Sequence, residues 1–224
     1  MEQLNNLPST SVGRLLSRLS RPTDTRECFR LPFSEDDAVR VLLAAVKAEV
    51  ELRCRTFRES DELLRQLRQL AKWLTGNRPQ FGLLLCGGCG NGKTTFVKAF
   101  QRVINQLDMR VDEGPERYSM RIVNARDLAV LCRDDYGAWC NLCSMRMLAI
   151  DDLGTEPVEM TAYGNLLYPV TDLLAKRYDK RLFTVITTNL RPDEIRPRYG
   201  DRIADRLNEM VGSVAFRNST YRTL

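Results

Sequence analysis

The residues most capable of chemistry form one glycine-rich run, Gly87-Gly88-Cys89-Gly90-Asn91-Gly92-Lys93-Thr94, which fits the pattern G-x-x-x-x-G-K-[ST]. It follows an apolar segment and precedes a predicted helix, the context that a phosphate-binding loop (P-loop) requires. Glycines let the backbone wrap around an anion, and the helix adds N–H donors and its positive dipole end. We expect an exposed Lys93 to neutralise the β- and γ-phosphates of a nucleotide and Thr94 to hold Mg²⁺. The predicted phosphate-binding residues are Gly87, Gly88, Cys89, Gly90, Asn91, Gly92, Lys93, Thr94 and Thr95.

Two adjacent carboxylates, Asp151 and Asp152, follow the apolar run Met147–Ile150. Asp151 is placed to bind the magnesium ion, directly or through its waters, and Asp152 is placed to polarise an attacking water. The chain contains no histidine, so this acid–base role is otherwise unfilled. The alternative is a pair of solvated acids in a turn before Gly154.

A third polar strand end is Asn189, which follows the β-branched run Leu182–Thr188. Beside the other two strand ends, its side chain could orient the lytic water or sense the γ-phosphate. The alternative is an ordinary asparagine at the end of a strand, in the turn before Pro192.

Arginines near the C-terminus could supply the positive charge that the transition state of phosphoryl transfer needs. Arg202 and Arg206 are four residues apart and would share one face of a helix. An arginine presented to the γ-phosphate of a neighbouring subunit stabilises developing charge. The alternative is a surface ladder of ion pairs with Asp201 and Asp205. Arg222 is either a phosphate sensor in cis or a basic C-terminal side chain.

Short apolar strands alternate with helices from Phe81 onward, which predicts an α/β fold with a mainly parallel sheet flanked by helices. Ligands of such sheets bind outside the carboxyl ends of the strands, where the motifs above lie. The helices are expected near residues 93–107, 125–133, 162–178 and 201–211. The predicted strands are Phe81–Cys86, Tyr118–Asn124, Met147–Asp151, Leu182–Thr188 and Val214–Phe216.

The N-terminal third is predicted to precede a catalytic core at residues 77–224. Residues 34–76 form a small helical collar, in which Ser34 and Ser60 cap two helices and Gly76 stops the second. Residues 1–33 form a flexible arm, in which apolar residues recur at helical spacing among arginines. This arm is a frayed tail, an amphipathic docking helix or a transit peptide. The apolar set is Val12, Leu15, Leu16 and Leu19.

The composition excludes several classes of protein. With 43% hydrophobic and 28% charged residues, the 224-residue chain can bury a core, and it is neither mainly disordered nor a disulfide scaffold. Its longest uncharged runs are too short and too often interrupted for a membrane span. The net charge of +5 is compatible with a nucleic-acid partner without indicating one.

Seven cysteines in a chain without a secretory hydrophobic region indicate reduced thiols in the cytoplasm. Cys132, Cys140 and Cys143 could supply three zinc ligands, but no histidine can serve as the fourth, so ordinary thiols are expected. Cys86 and Cys89 have the spacing of a redox or zinc pair, yet a disulfide or a metal there would obstruct the P-loop.

The order of these motifs resembles the DnaC/IstB branch of the AAA+ ATPases, which contains replicative helicase loaders and the ATPase helpers of DNA transposition. The resemblance extends from about Phe81 to Arg222. It depends on a Walker A motif, a Walker B motif, a sensor 1 strand end, a finger segment and a terminal segment similar to the one that supplies sensor 2. These are Gly87–Thr94, Ile150–Gly154, Thr187–Asn189, Asp205–Leu207 and Ser219–Arg222.

The resemblance implies a P-loop NTPase core of the AAA+ type with a five-stranded sheet and little or no C-terminal lid. It implies an ATP-dependent homo-oligomer that assembles on DNA, with a helicase or a transposase as partner. By the same resemblance, Arg206 rather than Arg202 is the finger that acts in trans, and Arg222 is sensor 2. The segment Arg133–Arg146 takes the place of a helical insertion that contacts DNA, and its aromatics could stack bases or form a buried pair.

One departure from the family pattern concerns the Walker B motif, which commonly ends Asp-Glu but here ends Asp151-Asp152, a form like that of the transposition helpers. Aspartate is one methylene shorter, so we expect the base to reach its water less well and turnover to be slow. The expected activity is hydrolysis of ATP to ADP and phosphate by a protein that loads or regulates a DNA-processing partner. Two alternatives stay open: a nucleotide-gated binding module with little hydrolysis, and a P-loop small-molecule kinase.

Overall fold

The centre of the fold is a sheet of parallel strands. The computed structural model describes residues 28–111, 114–162, 164–218 and 221 together with Val12, Gly13 and Leu16. The strands are β1 (Gly82–Gly87), β2 (Met120–Asn124), β3 (Met147–Leu153), β4 (Met160–Ala162), β5 (Asn165–Leu167), β6 (Phe183–Thr188) and β7 (Val211–Phe216). Five of them form the main sheet in the order β2-β3-β6-β1-β7, and every neighbouring pair is parallel. The predicted five-stranded α/β sheet is confirmed.

Helices cover both faces of this sheet, and the first two begin at the predicted serine caps. Ser34 Oγ accepts a hydrogen bond from the Asp37 N–H at 3.1 Å, and Ser60 Oγ accepts one from the Leu63 N–H at 3.2 Å. The helices are α1 (Glu35–Glu51), α2 (Asp61–Thr75), α3 (Lys93–Gln106), α4 (Ala125–Asp134), α5 (Tyr136–Ser144), α6 (Pro169–Asp179), α7 (Pro192–Tyr199) and α8 (Asp201–Met210).

The central strands β1, β3 and β6 are buried on both faces, so neighbouring residues of one strand enter different hydrophobic cores. On β1, Leu83 and Leu85 join the core that contains α1, α2 and α3, whereas Leu84 joins the core that contains α4, α5, α6 and α8. The predicted collar helices α1 and α2 therefore pack directly against the same face as the helix that follows the P-loop. Among the described residues, none of the helices has the length and apolar character that crossing a bilayer requires.

The structure differs from the prediction between residues 160 and 199. The helix predicted over 162–178 begins only at Pro169, and β4 and β5 form an antiparallel hairpin before it. Proline suits the first turn of a helix because that turn needs no N–H from it, and α7 likewise begins at a proline, Pro192. The helix α5 lies within Arg133–Arg146, where the resemblance implies a helical insertion.

Most of the predicted N-terminal arm lies outside the described residues. Val12 and Leu16, two members of its apolar set, are helical and exposed, while Phe29 and Leu31 belong to the core that contains α1. The division of the chain at residues 33 and 76 stays a prediction.

Candidate functional site

The P-loop joins β1 to α3 through backbone conformations that favour glycine. Gly92 has φ +96° and caps the N-terminus of α3, so the first N–H groups of this helix face the loop. Gly87 has φ +148°, and a Cβ atom there would lie 2.2 Å from the carbonyl oxygen of Phe216. A side chain at Gly87 would therefore push the loop away from β7.

The side chain of Lys93 turns back into the loop and is only 5% exposed, so the expectation of an exposed lysine is wrong. Its Nζ donates to the carbonyl oxygens of Gly87 and Gly88 at 2.8 and 2.7 Å. It also donates to Asn91 Oδ1 at 3.0 Å and to Asn189 Oδ1 at 2.9 Å. Burial lowers the pKa of Lys93, and the negative charge of Asp152 opposes that shift.

The predicted magnesium ligands Thr94 and Asp151 lie side by side. Thr94 Oγ1 donates to Asp151 Oδ1 at 3.0 Å, and the same oxygen accepts from Thr187 Oγ1 at 2.6 Å. Asp151 is 8% exposed and is paired in register with Asn124 of β2. Hydroxyl donors from α3 and β6 thus hold this carboxylate at the carboxyl edge of the sheet.

Asp152 lies where the pairing between β3 and β6 is irregular. The register shifts between Ile150 and Leu153, and Asp152 has φ +58°, a left-handed conformation uncommon for a non-glycine residue. Its N–H donates to Thr187 Oγ1 at 2.9 Å. Because a bulge re-aims side chains, Asp152 points differently from a residue of a regular strand.

The structure brings together Lys93, Thr94, Asp151 and Asn189, four of the residues that the sequence singles out. Asn189 is exposed directly after β6, and its contact with Lys93 links this strand end to the P-loop. The Thr95 side chain is half-buried in the first turn of α3. The catalytic roles assigned to these residues stay predictions.

Contacts with the C-terminal segment also hold the P-loop, and the sequence analysis missed them. Asn91 Nδ2 donates to the Phe216 carbonyl at 2.6 Å, and Asn218 Nδ2 donates to the Asn91 carbonyl at 3.0 Å. Gln66 of α2 extends this chain of contacts, because its Nε2 donates to Asn218 Oδ1 at 2.8 Å. The Tyr221 N–H donates to the Gly90 carbonyl at 3.0 Å. An asparagine inside the P-loop is the one local signal that could have indicated them.

The two candidate finger arginines differ in their surroundings. Arg206 Nη2 lies 3.1 Å from Asp179 Oδ1, and its Cζ lies 4.8 Å from the centroid of the Tyr178 ring. Arg202 is exposed. The acids Asp201 and Asp205, expected as their partners, pair instead with Arg196 of α7. Ser219, Thr220 and the predicted sensor Arg222 lie outside the described residues.

The cysteines and aromatics in and next to the predicted insertion are mostly internal. Cys132 and Cys143 are buried, Cys140 is half-buried, and all three are free thiols. Within the described part of the chain, no cluster of three metal-binding side chains is arranged around an ion site. Trp139 is 1% exposed, whereas Tyr136, stacked on it at a centroid distance of 5.2 Å, is 55% exposed.

Solved structures share this fold. The crystal structure of the DnaC helicase loader matches with a TM-score of 0.56 and 18% sequence identity, over 79% of this chain and 98% of that one. The crystal structure of DnaI matches with a TM-score of 0.54 and 17% identity, over 77% of this chain and 93% of that one. No protein-family model matches the sequence, and no curated protein does. The likeness in structure shows the fold that the resemblance of the motifs implies.

Proposed function

We propose that this chain is an AAA+ ATPase of the DnaC/IstB type, which binds and hydrolyses ATP and thereby loads or regulates a DNA-processing partner. The observation that carries this proposal is the 3.0 Å contact between Thr94 of the P-loop and Asp151 at the end of β3. It joins a phosphate-binding loop to a carboxylate at the edge where parallel sheets bind ligands.

The same two residues fit a magnesium ion. Thr94 and Asp151 offer a hydroxyl and a carboxylate oxygen next to each other, and Mg²⁺ prefers oxygen ligands of this kind. Bound there with the nucleotide, Mg²⁺ would neutralise negative charge on the β- and γ-phosphates. Thr187 would hold the Asp151 carboxylate in place through its 2.6 Å hydrogen bond.

The remaining roles follow from position. Lys93 would exchange its contacts with loop carbonyls for contacts with the β- and γ-phosphates, since its ammonium already lies inside the loop. Asp152 would accept a proton from the attacking water, and Asn189 would orient that water or contact the γ-phosphate. Arg206 would act on the nucleotide of a neighbouring subunit after leaving Asp179.

Dependence on protein concentration tests the arrangement in trans. Turnover per mole of protein is expected to rise with concentration, because the finger belongs to a neighbouring subunit. Arg206→Ala is expected to lower turnover on the order of 10³-fold at saturating protein, whereas Arg202→Ala serves as the matched control on the same helix. A turnover that is independent of concentration would contradict the proposal, as would an unchanged Arg206→Ala enzyme.

The likeness to DnaC favours a replicative helicase as the partner, since that structure is of a helicase loader. The Asp151-Asp152 pair points the other way, towards a transposase. Co-purification from the native host with ATP and Mg²⁺ decides between them, with omission of ATP as the control. We expect to recover a helicase. Recovery of a transposase instead would assign the protein to the transposition helpers.

A nucleotide-gated binding module is the second candidate. The short side chain of Asp152 and its left-handed backbone conformation favour it. In that case ATP promotes binding to DNA or to the partner, and hydrolysis only resets the protein. Asp152→Asn is then expected to abolish hydrolysis and to leave ATP-dependent binding intact. Loss of both in this variant would count against the binding module.

A further inference from the structure

One arginine from the N-terminal helices reaches the helix that follows the P-loop. Arg53 lies just after α1, and its Nη1 donates to Thr95 Oγ1 at 3.3 Å. Thr95 lies in the first turn of α3, immediately after the predicted magnesium ligand Thr94. N–H groups in that turn point towards a bound phosphate, so Arg53 lies at the border of the phosphate site.

A buried carboxylate holds Arg53 in this position. Glu49, in the last turn of α1, is only 6% exposed, and its Oε1 accepts from Arg53 Nη2 at 3.1 Å. Its other oxygen lies 3.6 Å from Nη2 of Arg102. A carboxylate in a hydrophobic setting needs positive partners, and two arginines share this one.

The backbone turns sharply right after Arg53. Cys54 has φ +55°, and its N–H donates to the Glu51 carbonyl at 2.9 Å while the Arg55 N–H donates to the Val50 carbonyl at 3.3 Å. A left-handed conformation costs a non-glycine residue on the order of 1 kcal/mol. This turn ends α1 and leaves the apolar Leu52 66% exposed, while Arg53 is directed at α3.

We propose that Arg53 is a nucleotide-binding residue that contacts the α-phosphate. The proposal rests on the proposed function of the P-loop. The Arg53 side chain is 36% exposed, and the planar guanidinium carries five N–H donors, which leaves donors for an oxyanion beside its two protein contacts. Lys93 is expected to serve the β- and γ-phosphates. Thr95, which Arg53 contacts, lies two residues further into α3, so the guanidinium of Arg53 lies towards the α-phosphate end. Arg53 then stabilises bound ADP and ATP alike, and it links α1 to the nucleotide.

Nucleotide affinities of two matched variants test this assignment. Arg53→Ala and Arg102→Ala each remove one of the two arginines on Glu49, and the two side chains are similarly exposed at 36% and 34%. Only Arg53 reaches Thr95. Dissociation constants for ADP and ATP with Mg²⁺ are measured by calorimetry, and thermal unfolding of the same variants reports on Glu49. We expect Arg53→Ala to weaken the binding of both ADP and ATP about tenfold. Arg102→Ala should change either dissociation constant by less than about twofold, and both variants should unfold at similar temperatures.

Each other outcome overturns the assignment in a recognisable way. Weaker binding of ATP with unchanged binding of ADP would place Arg53 at the γ-phosphate. Equal weakening by both variants would make Arg53 a structural partner of Glu49, and unchanged affinities would leave it no contact with nucleotide. A wild-type protein that binds no nucleotide would overturn the proposed function, whereas normal wild-type binding with an unaffected Arg53→Ala variant would overturn this inference only. Arg53→Gln, which can still donate to Glu49 but carries no charge for a phosphate, replaces the alanine variant if that one does not fold, with the same expected weakening of ADP and ATP binding.

Discussion

Lys93 and Arg177 are both buried cations, and they lie at opposite ends of the central sheet. Lys93, at the carboxyl edge, donates to two loop carbonyls and to two asparagine side chains within 3.0 Å. Arg177, in α6, is 0% exposed and donates to the Phe183 carbonyl and Thr184 Oγ1 at the start of β6, at 2.7 and 2.8 Å. It also donates to the Leu142 and Met145 carbonyls at 2.9 and 2.7 Å. In both, neutral oxygens surround the charge.

The difference lies in how readily the acceptors can be exchanged. The Lys93 ammonium has three hydrogens for four oxygens, and those oxygens belong to a glycine-rich loop and to a strand end. In the proposed function, phosphate oxygens replace them. The acceptors of Arg177 lie at the ends of α5 and β6, so this side chain fixes one element against another, and burial lowers its pKa to about 9. Burial alone therefore does not separate the two cations, whereas exchangeable acceptors beside carboxylates distinguish the proposed site around Lys93.

Lys93→Ala is expected to give the largest effect and to separate the two cations most clearly. Loss of the charge at the β- and γ-phosphates should lower kcat/KM for ATP on the order of 10³-fold. The melting temperature should change little, because the substitution removes a desolvated charge and the exposed acceptors at Gly88 and Asn189 can bind water instead. Steady-state ATPase assays and thermal unfolding measure both. Nearly normal hydrolysis, or a collapse of the fold, would contradict the functional assignment of Lys93.

Arg177→Met is expected to show the opposite behaviour. Methionine fills part of the volume but donates nothing, so the carbonyls of Leu142, Met145 and Phe183 lose a buried partner. The free energy of unfolding should fall by about 3 kcal/mol or more, as measured by urea denaturation. The affinity of the folded protein for ATP should stay within about twofold.

The exposed neighbour Lys176 provides the control for that experiment. Lys176→Met is expected to change the free energy of unfolding by less than about 0.5 kcal/mol. If Arg177→Met were no less stable than this control, Arg177 would not hold α5 against β6.

The same contrast explains how far the sequence alone could lead. The convergence of Lys93, Thr94, Asp151 and Asn189 was predictable because each follows or precedes an apolar strand, and parallel strands end at one edge. Nothing in the local sequence separates Arg177 from the exposed Lys176 beside it. Two of the acceptors of Arg177, the carbonyls of Leu142 and Met145, lie 35 and 32 residues away, and the other two lie at the start of β6. The contacts of Arg53 and Asn218 likewise depend on tertiary packing, which periodicity does not encode.

The prolines show a second limit of local patterns. The sequence predicts one helix over residues 162–178, but Pro169 lies in the first turn of α6 and the residues before it form a hairpin. A proline at residue 169 fits either the first turn of a new helix or a break within a longer helix. The pairing of β4 with β5 shows that a new helix begins there.

Asn91→Ala is expected to give the smallest effect of the three, because Asn91 belongs to both kinds of contact. Its Oδ1 is one of the exchangeable acceptors of Lys93, and its Nδ2 donates to the Phe216 carbonyl in β7. We expect ATP to bind about fivefold more weakly and the free energy of unfolding to fall by about 1 kcal/mol, both within the range of a single buried hydrogen bond. Asn218→Ala is the control, since it removes a contact with the Asn91 carbonyl and leaves the Asn91 side chain in place. If the two variants weaken ATP binding equally, the side chain of Asn91 does not position Lys93, and the C-terminal segment acts on the P-loop through its backbone alone.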